Sequence, residues 1–143
     1  NDELQKEIDI SRRYGTDFSL ILFDFDDFKM VNDNYGHLMG DKLLTEAVGL
    51  IKNSVRVTDT FARWGGEEFV ILLPHTRQDM AIELAERLRK TISEHNFEQI
   101  GRITCSFGIT SFKEGDNVES IMFRVDKLLY AAKLRGKNCI VEG

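Results

Sequence analysis

The pattern of hydrophobic positions predicts short strands that alternate with amphipathic helices. Residues 18–24, FSLILFD, are apolar at nearly every position, which is typical of a strand covered on both faces. Further strands are predicted for DTFARW, EEFVILLP and RITCSFGIT, with a short edge strand over residues 138–141. Gly65 and Gly66 separate DTFARW from EEFVILLP, so we expect a two-residue hairpin turn with Glu67 opening the second strand.

Four segments carry apolar residues at the spacing of a helix. A polar helix is predicted over residues 1–14, with Leu4 and Ile8 on one side. The other apolar faces are Leu44, Ala47, Val48, Ile51 and Val55; Ala81, Leu84, Ala85, Leu88 and Ile92; and Val118, Ile121, Met122, Val125, Leu129 and Ala132. Without the first helix, the order β-α-β-β-α-β predicts a ferredoxin-like α+β fold. This is an α/β sandwich whose mainly antiparallel sheet carries its helices on one face.

Composition narrows the classes of function. The chain has 143 residues, which predicts a single domain over residues 1–143, and its net charge of −5 disfavours binding to nucleic acid. The longest apolar runs are far shorter than the ~20 residues of a membrane-spanning helix. Cys105 and Cys139 lack metal-ligand spacing and are interpreted as small core residues. We therefore expect a cytoplasmic domain with no direct membrane contact.

Acidic residues cluster where two predicted elements meet. Asp24, Asp26 and Asp27 close the first strand, and Glu67 and Glu68 follow the glycine turn. These two places are neighbours in a β-α-β-β-α-β topology, and converging carboxylates suit Mg²⁺ or Mn²⁺ with phosphate oxygens as further ligands. The sequence thus predicts a metal-dependent site for a nucleoside triphosphate. An alternative stays open, in which Asp26 or Asp27 is only the N-cap of the short helix that follows.

Two motifs resemble those of the GGDEF family, the diguanylate cyclases. RWGGEEFVILLP is similar to the family's signature loop, with Gly65, Gly66, Glu67, Glu68 and Phe69 as its five positions. DFDDFKMVNDNYGHLMGD is similar to the second motif, and the likeness extends over residues 18–141. The resemblance implies condensation of two GTP molecules into cyclic di-GMP with release of pyrophosphate. It also implies a fold like that of adenylyl cyclases and polymerase palm domains.

The resemblance implies roles for the residues of the acidic cluster. Asp24, the backbone carbonyl of Phe25 and Glu67 match the family's metal ligands. Glu67 also matches the proposed acceptor of the proton from the ribose 3′-hydroxyl, and Glu68 is a second acidic group beside it.

Asn32 and Asp41 match the positions that recognise guanine in the family. A carboxylate can accept from the N1 and N2 donors of guanine, which adenine lacks, so we expect GTP to be preferred over ATP. His37 lies in the same motif and would touch ribose or phosphate. Two structural interpretations stay open: Asn32 as a turn residue, and Asp41 as a first-turn carboxylate of a helix over residues 43–55.

Lys133 and Lys137 match two basic positions that hold the terminal phosphates in the family. The family usually has Arg where Lys137 stands, and Lys keeps the charge but loses the bidentate fork. In the alternative interpretation, both lysines only stabilise the end of a helix that stops at Gly136.

Arg56 and Asp59 form an RxxD motif shortly before the glycine turn. The resemblance implies that this motif, with Arg87, is an inhibitory site for cyclic di-GMP, so we expect product inhibition. An Arg with an Asp three residues later is otherwise typical of a solvated helix end.

A product with twofold symmetry, made by domains with one GTP site each, implies a catalytic homodimer. The family's usual segment before the first helix is absent, so we expect a piece of a longer protein that also has an N-terminal sensory or regulatory region. Two competing functions stay open. One is a non-catalytic module that binds GTP or cyclic di-GMP, and the other is a related cyclase that uses ATP.

Overall fold

The computed structural model describes residues 2–143 and confirms the predicted strands and helices. The elements are α1 (Asp2–Tyr14), β1 (Phe18–Phe25), α2 (Phe28–Tyr35), α3 (His37–Lys52), β2 (Thr60–Gly65), β3 (Glu68–Pro74), α4 (Gln78–Glu94), β4 (Cys105–Ser111), α5 (Val118–Leu134) and β5 (Ile140–Glu142). The helix predicted over residues 43–55 begins earlier and ends earlier, which leaves Val55 outside it. Asn1, part of the first predicted helix, lies outside the described residues.

The strands form one mixed sheet in the order β2-β3-β1-β4-β5. All neighbouring strands are antiparallel except β4 and β5, which run parallel. β1 lies at the centre and is buried at every position except Asp24, which confirms the expectation of a strand covered on both faces. The carboxyl end of β1 therefore lies between the β2–β3 hairpin and the start of β4.

Helices cover both faces of the sheet, so the expectation of helices on one face was wrong. Residues of α2, α3 and α4 pack with Ile21 and Phe23 of β1. Residues of α1 and α5 pack with Leu20 and Leu22, which point to the opposite face. Because β1 is apolar on both faces, each face has to be removed from water by its own layer of helices.

Gly108 of β4 allows α5 to approach the sheet closely. A Cβ atom at this position would lie 2.6 Å from the amide nitrogen of Leu129 and 2.6 Å from the carbonyl oxygen of Val125. Backbone atoms of a packed helix cannot yield by that much, so a larger residue would push α5 outward. This close packing holds the middle of α5 directly against β4.

Cys105 is a core residue, as predicted. It is a free thiol and fully buried in β4, and burial, followed by the nearby carboxylates of Asp26 and Asp24, raises its pKa well above the usual range. Cys139 is also free and half-buried, and its Sγ atom donates to the carbonyl oxygen of Ala132 at 3.4 Å. Across residues 2–143, we find no helix with the length and apolar character needed to cross a bilayer.

Candidate functional site

The carboxyl end of β1 and the β2–β3 hairpin lie side by side. The register of β1 and β3 pairs Asp24 with Glu68, the first residue of β3. On its other side, Asp24 pairs with Ser106 of β4. The acidic residues of the first strand and of the hairpin therefore converge at one end of the sheet, as expected from the topology.

The hairpin turn lies one residue later than predicted. Gly65 is the last residue of β2 and pairs with Glu68, so the turn residues are Gly66 and Glu67 rather than the two glycines. Glu67 accordingly precedes β3 instead of opening it. The pairing of β2 with β3 shifts by one residue at Trp64, which forms a β-bulge. A simple hairpin pattern does not predict this extra residue in β2. Glu67 therefore stands at the tip of the turn, beside the end of β1.

The carboxylates at this end of the sheet are close enough to change one another's pKa values. Burial raises the pKa of Asp24, and the charges of Asp26 and Glu67 raise it further against the opposing effect of Lys133. Burial and then the charge of Asp24 raise the pKa of Glu68. Carboxylates that disfavour one another's ionisation in this way mark a place where an added cation is stabilised.

The donor set fits a hard divalent cation that is bound partly by its substrate. Asp24 and Glu67 offer carboxylate oxygens, and Phe25, the last residue of β1, offers its backbone carbonyl. Among residues 2–143, no three His, Cys, Asp or Glu side chains form a group that could hold an ion by themselves. Mg²⁺ typically takes one or two carboxylates and completes its shell with phosphate oxygens and water. The residues present therefore suit a metal that binds together with a triphosphate.

Lys133 and Lys137 point toward the end of β1. The ammonium group of Lys133 forms ion pairs with Asp24 and, at 2.7 Å, with Asp26. The ammonium group of Lys137 lies 2.6 Å from the carboxylate of Asp27. The two cations thus face the acidic cluster, and the interpretation that they only stabilise the end of α5 was wrong.

Asp26 anchors the cluster, a role that the sequence interpretation missed. Its side chain is buried and accepts hydrogen bonds from Ser106 and Thr104, both at 2.6 Å, and from the backbone amide of Asn138 at 3.0 Å. Burial acts to raise its pKa, but these donors and Lys133 outweigh it and lower the pKa. The interpretation of Asp26 as a helix N-cap was therefore wrong. Its partners come from the start of β4 and the residue before it, from the last turn of α5 and from the loop after α5, so no local pattern indicates them.

The loop after α5 turns back toward the end of β1. Gly136, Lys137 and Asn138 have φ angles of 115°, 66° and 47°, three consecutive residues in the left-handed region. This geometry directs Lys137 toward Asp27 and the amide of Asn138 toward Asp26. Asp27 occupies the N-cap position of α2 but makes no side-chain capping bond, so its capping interpretation was also wrong.

Asn32 lies inside α2 and packs against α3, so the interpretation as a turn residue was wrong. Its Oδ1 atom is buried and has no hydrogen-bond partner among residues 2–143. Gly40 of α3 makes room for it, because a Cβ atom there would lie 2.0 Å from that oxygen. A buried acceptor without a donor is costly, so this oxygen is suited to a ligand N–H group. The sequence interpretation missed this role of Gly40. The signal that could have indicated it is a glycine within a helical pattern.

Asp41 borders a cavity between α3 and the hairpin strands. Because α3 begins at His37, Asp41 lies in the second helical turn, and the first-turn interpretation was wrong. The cavity measures ≈ 500 Å³, and Leu44, Phe61 and Phe69 provide apolar walls. His37 is exposed at the start of α3. The cavity combines apolar walls with a carboxylate at its rim, a lining that suits a planar heterocycle with N–H donors.

The RxxD motif forms a separate cavity. Arg56, Asp59 and Arg87 line a space of ≈ 410 Å³ between β3 and α4. The backbone amide of Arg56 donates to Asp59 at 2.8 Å, and its guanidinium donates to Asp59 at 3.2 Å and to the hydroxyl of Thr76 at 2.7 Å. The side chain of Asp59 is buried, so the motif is a folded turn and not a solvated helix end.

Comparisons with known proteins agree with this architecture. Over residues 1–139 the chain matches the family model described as diguanylate cyclase, GGDEF domain. It is 41% identical over 141 residues to the diguanylate cyclase DgcP of Pseudomonas aeruginosa. The aligned region covers 96% of this chain and 21% of DgcP. The chain thus spans about a fifth of this curated relative's length.

Two solved structures are similar over 99% of this chain. The active GGEEF domain of a diguanylate cyclase from Vibrio cholerae has a TM-score of 0.93 and 34% identity, with 92% of that domain covered. The GGDEF domain of DgcB from Caulobacter crescentus, in complex with c-di-GMP, has a TM-score of 0.94 and 31% identity, with 86% covered. From the family match and the shared fold, we conclude that this chain belongs to the GGDEF domain family.

Proposed function

We propose that the chain is a diguanylate cyclase domain, which condenses two GTP molecules into cyclic di-GMP and releases pyrophosphate. The observation that carries this proposal is the register of β1 and β3, which sets Asp24 opposite Glu68 and next to the turn that holds Glu67. Relatives that are named diguanylate cyclases support it. Lys133 and Lys137 add positive charge at the same end of the sheet.

The proposed reaction joins the 3′-oxygen of one GTP to the α-phosphorus of the other. The new P–O bond replaces the bond to pyrophosphate, and the proton of the 3′-hydroxyl passes to Glu67, with Glu68 as a second acidic group. Asp24, the backbone carbonyl of Phe25 and Glu67 would hold Mg²⁺ or Mn²⁺, which would supply positive charge to the phosphate oxygens. Lys133 and Lys137 bind the terminal phosphates, and in doing so exchange their carboxylate partners for phosphate oxygens.

Guanine is proposed to bind at the corner of α2 and α3. The buried Oδ1 of Asn32 and the carboxylate of Asp41 accept from the N–H donors of the base. His37, at the start of α3, contacts ribose or phosphate. Adenine would leave the buried oxygen of Asn32 without a donor, a penalty of about 1–3 kcal/mol, so GTP is preferred over ATP.

Each domain offers one such site, so a cyclic product made of two nucleotides requires a homodimer. The proposed partners are therefore GTP, cyclic di-GMP and a second copy of the chain. We also infer that the domain works in the cytoplasm, where GTP is available, within a longer protein.

The RxxD cavity is proposed as a regulatory site at which cyclic di-GMP inhibits the enzyme. Arg56 and Arg87 provide cations for phosphate, and Asp59 provides acceptors for guanine N–H groups. The complex of the DgcB domain with c-di-GMP supports this ligand for the family. The same cavity favours a second candidate function, a receptor that binds cyclic di-GMP without making it.

The test of the proposed function is incubation with GTP and Mg²⁺, followed by measurement of cyclic di-GMP and pyrophosphate. Glu67→Gln is expected to lower kcat at least about 100-fold, because it removes a metal ligand and the proton acceptor. Glu114→Gln, in an exposed loop, serves as the matched control and keeps full activity.

Two outcomes would contradict the proposal. A folded protein that binds cyclic di-GMP but makes none from GTP at high protein concentration would be a receptor. Equal turnover of ATP and GTP would indicate the ATP-using cyclase instead.

A further inference from the structure

A side chain of α4 contacts the loop that follows α5. The guanidinium of Arg89 donates through Nη1 to Oδ1 of Asn138 at 3.0 Å, although the two residues are 49 positions apart in the chain. Residues 136–138 form this loop, and it brings Lys137 and the backbone amide of Asn138 to the acidic cluster. Arg89 therefore contacts a segment of the candidate site from a helix that provides none of the proposed metal ligands or phosphate-binding groups.

Glu86 fixes the direction in which Arg89 points. The Nε and Nη2 atoms of Arg89 donate to the two carboxylate oxygens of Glu86 at 3.0 and 2.5 Å. Both residues are half-buried and lie three positions apart on α4. Their hydrogen bonds lower the pKa of Glu86 and raise the pKa of Arg89. Because a guanidinium is planar and rigid, pairing one of its edges with Glu86 leaves Nη1 in a fixed position for Asn138.

Asn138 has a backbone conformation that depends on tertiary support. The φ angles of Lys137 and Asn138 are 66° and 47°, in the left-handed region that is unfavourable for residues other than glycine. Such residues persist where surrounding contacts fix them. The amide of Asn138 donates to Asp26 at 3.0 Å, and its side chain accepts from Arg89. Arg89 thus helps to hold the loop in the conformation that directs Lys137 toward the end of β1.

We propose that Arg89 is a positioning residue for the terminal phosphates of the nucleotide, acting through Asn138 to keep the ammonium group of Lys137 in place. Arg89 itself touches no substrate in this role. Without its hydrogen bond, Asn138 can leave the left-handed region and turn Lys137 away from the site. Binding then has to order the loop again, which weakens affinity. The inference rests on the proposed function for the presence of a triphosphate next to Lys137.

The test measures binding of a non-hydrolysable GTP analogue with Mg²⁺ by isothermal titration calorimetry, which requires no turnover. Lys137→Ala is expected to raise the Kd about tenfold, because a charged contact to phosphate is lost. Arg89→Gln is expected to raise it about fivefold. Arg13→Gln, at an exposed position of α1 on the other face of the sheet, is the matched control and keeps the original Kd.

Failure of this inference and failure of the proposed function give different results. If the unsubstituted protein did not bind the GTP analogue, the proposed function would be contradicted, and the inference with it. If Arg89→Gln bound the analogue as tightly as the unsubstituted protein does, only the inference would be overturned. A purely structural contact between α4 and the loop predicts this second result, with lower stability and an unchanged Kd.

A double-mutant cycle tests whether Arg89 acts through Lys137. In a protein that already carries Lys137→Ala, the change Arg89→Gln should raise the Kd by less than about twofold, since the group that Arg89 positions is absent. If the effects of the two substitutions were additive, the action through Lys137 would be overturned.

Arg89→Lys separates positioning from a simple effect of charge. This variant keeps the positive charge but lacks the planar fork that contacts Glu86 and Asn138 together, so its Kd should rise nearly as much as that of Arg89→Gln. Urea denaturation checks that each variant is folded, and if Arg89→Gln is not, Arg89→Lys takes its place in the cycle. Binding of the analogue by Arg89→Lys with the original Kd would overturn the proposal.

Discussion

At the scale of single residues, Asp116 shows how strongly this chain stabilises a buried carboxylate. It lies before α5 and is buried, and it accepts from the guanidinium of Arg124 at 2.9 and 2.6 Å. The backbone amide of Lys113 and the hydroxyl of Ser120 donate to it at 2.9 Å each. Burial acts to raise the pKa of Asp116, but these donors lower it to about 2. The ion pair fastens the start of α5 to the loop that follows β4.

Asp116→Asn is expected to lower the free energy of unfolding at pH 7 by about 2 kcal/mol. The pKa in the folded state, about 2, lies below the ordinary 3.8, so the stabilisation is complete above about pH 4. It is lost as the pH falls toward 2. Urea denaturation at pH 7, 4 and 3 measures the difference between variant and original protein, which should shrink with falling pH. Asp79→Asn, at an exposed surface pair with Arg77, should change little at any pH.

Arg87→Ala tests the proposed inhibitory site. Arg87 lines the RxxD cavity together with Arg56 and Asp59. Its loss should raise the concentration of cyclic di-GMP needed for half-inhibition at least about tenfold, since a charged contact to phosphate is removed. The initial rate without product should stay the same. Lys90→Ala, on the same helix but outside this cavity, is the control, and equal inhibition of both variants would contradict the proposed site.

At the scale of elements, the contact of α2 with α3 depends on one glycine. Gly40→Ala places a methyl group 2.0 Å from Asn32 Oδ1, which forces the two helices apart or displaces the Asn32 side chain. We expect a loss of about 1–3 kcal/mol in stability and a rise in KM for GTP, with kcat less affected. Urea denaturation and steady-state kinetics measure these effects.

Gly49→Ala is the matched control on the same helix. Apart from the adjoining backbone of α3 itself, no atom lies within 4 Å of a Cβ added at Gly49, so the change should stabilise α3 by up to ~1 kcal/mol and leave KM as it was. If both substitutions raised KM equally, the role of Gly40 in shaping the guanine corner would be wrong.

At the scale of the whole molecule, catalysis by two facing domains predicts a dependence on protein concentration. Because each domain binds one GTP in the proposed site, the rate per domain at saturating GTP should rise with concentration and level off when dimers dominate. Initial rates of pyrophosphate release over a wide range of concentrations measure this. A constant rate per domain down to concentrations at which sedimentation shows only monomer would contradict the homodimer.

The sequence predicted much of this fold, because its elements follow from local periodicity. β1 is apolar at successive positions, α4 repeats Ala81, Leu84, Ala85 and Leu88, and the signature loop and the second motif occur in the family's order. The hairpin turn shows the limit of this reasoning, because it was predicted at Gly65 and Gly66 and lies at Gly66 and Glu67. The bulge at Trp64 is a feature of strand pairing, and a pattern of residue types does not report pairing.

The sequence by itself thus determined the elements, the acidic motifs and the family resemblance, since each is encoded by residues close together in the chain. Tertiary structure alone decided which face each helix covers and what the individual acids bind. Asp26 is the clearest case, because its partners Ser106, Lys133 and Asn138 are 80, 107 and 112 positions away. Only folding brings these partners to Asp26, so the sequence alone does not show whether its carboxylate caps a helix or binds residues of the site.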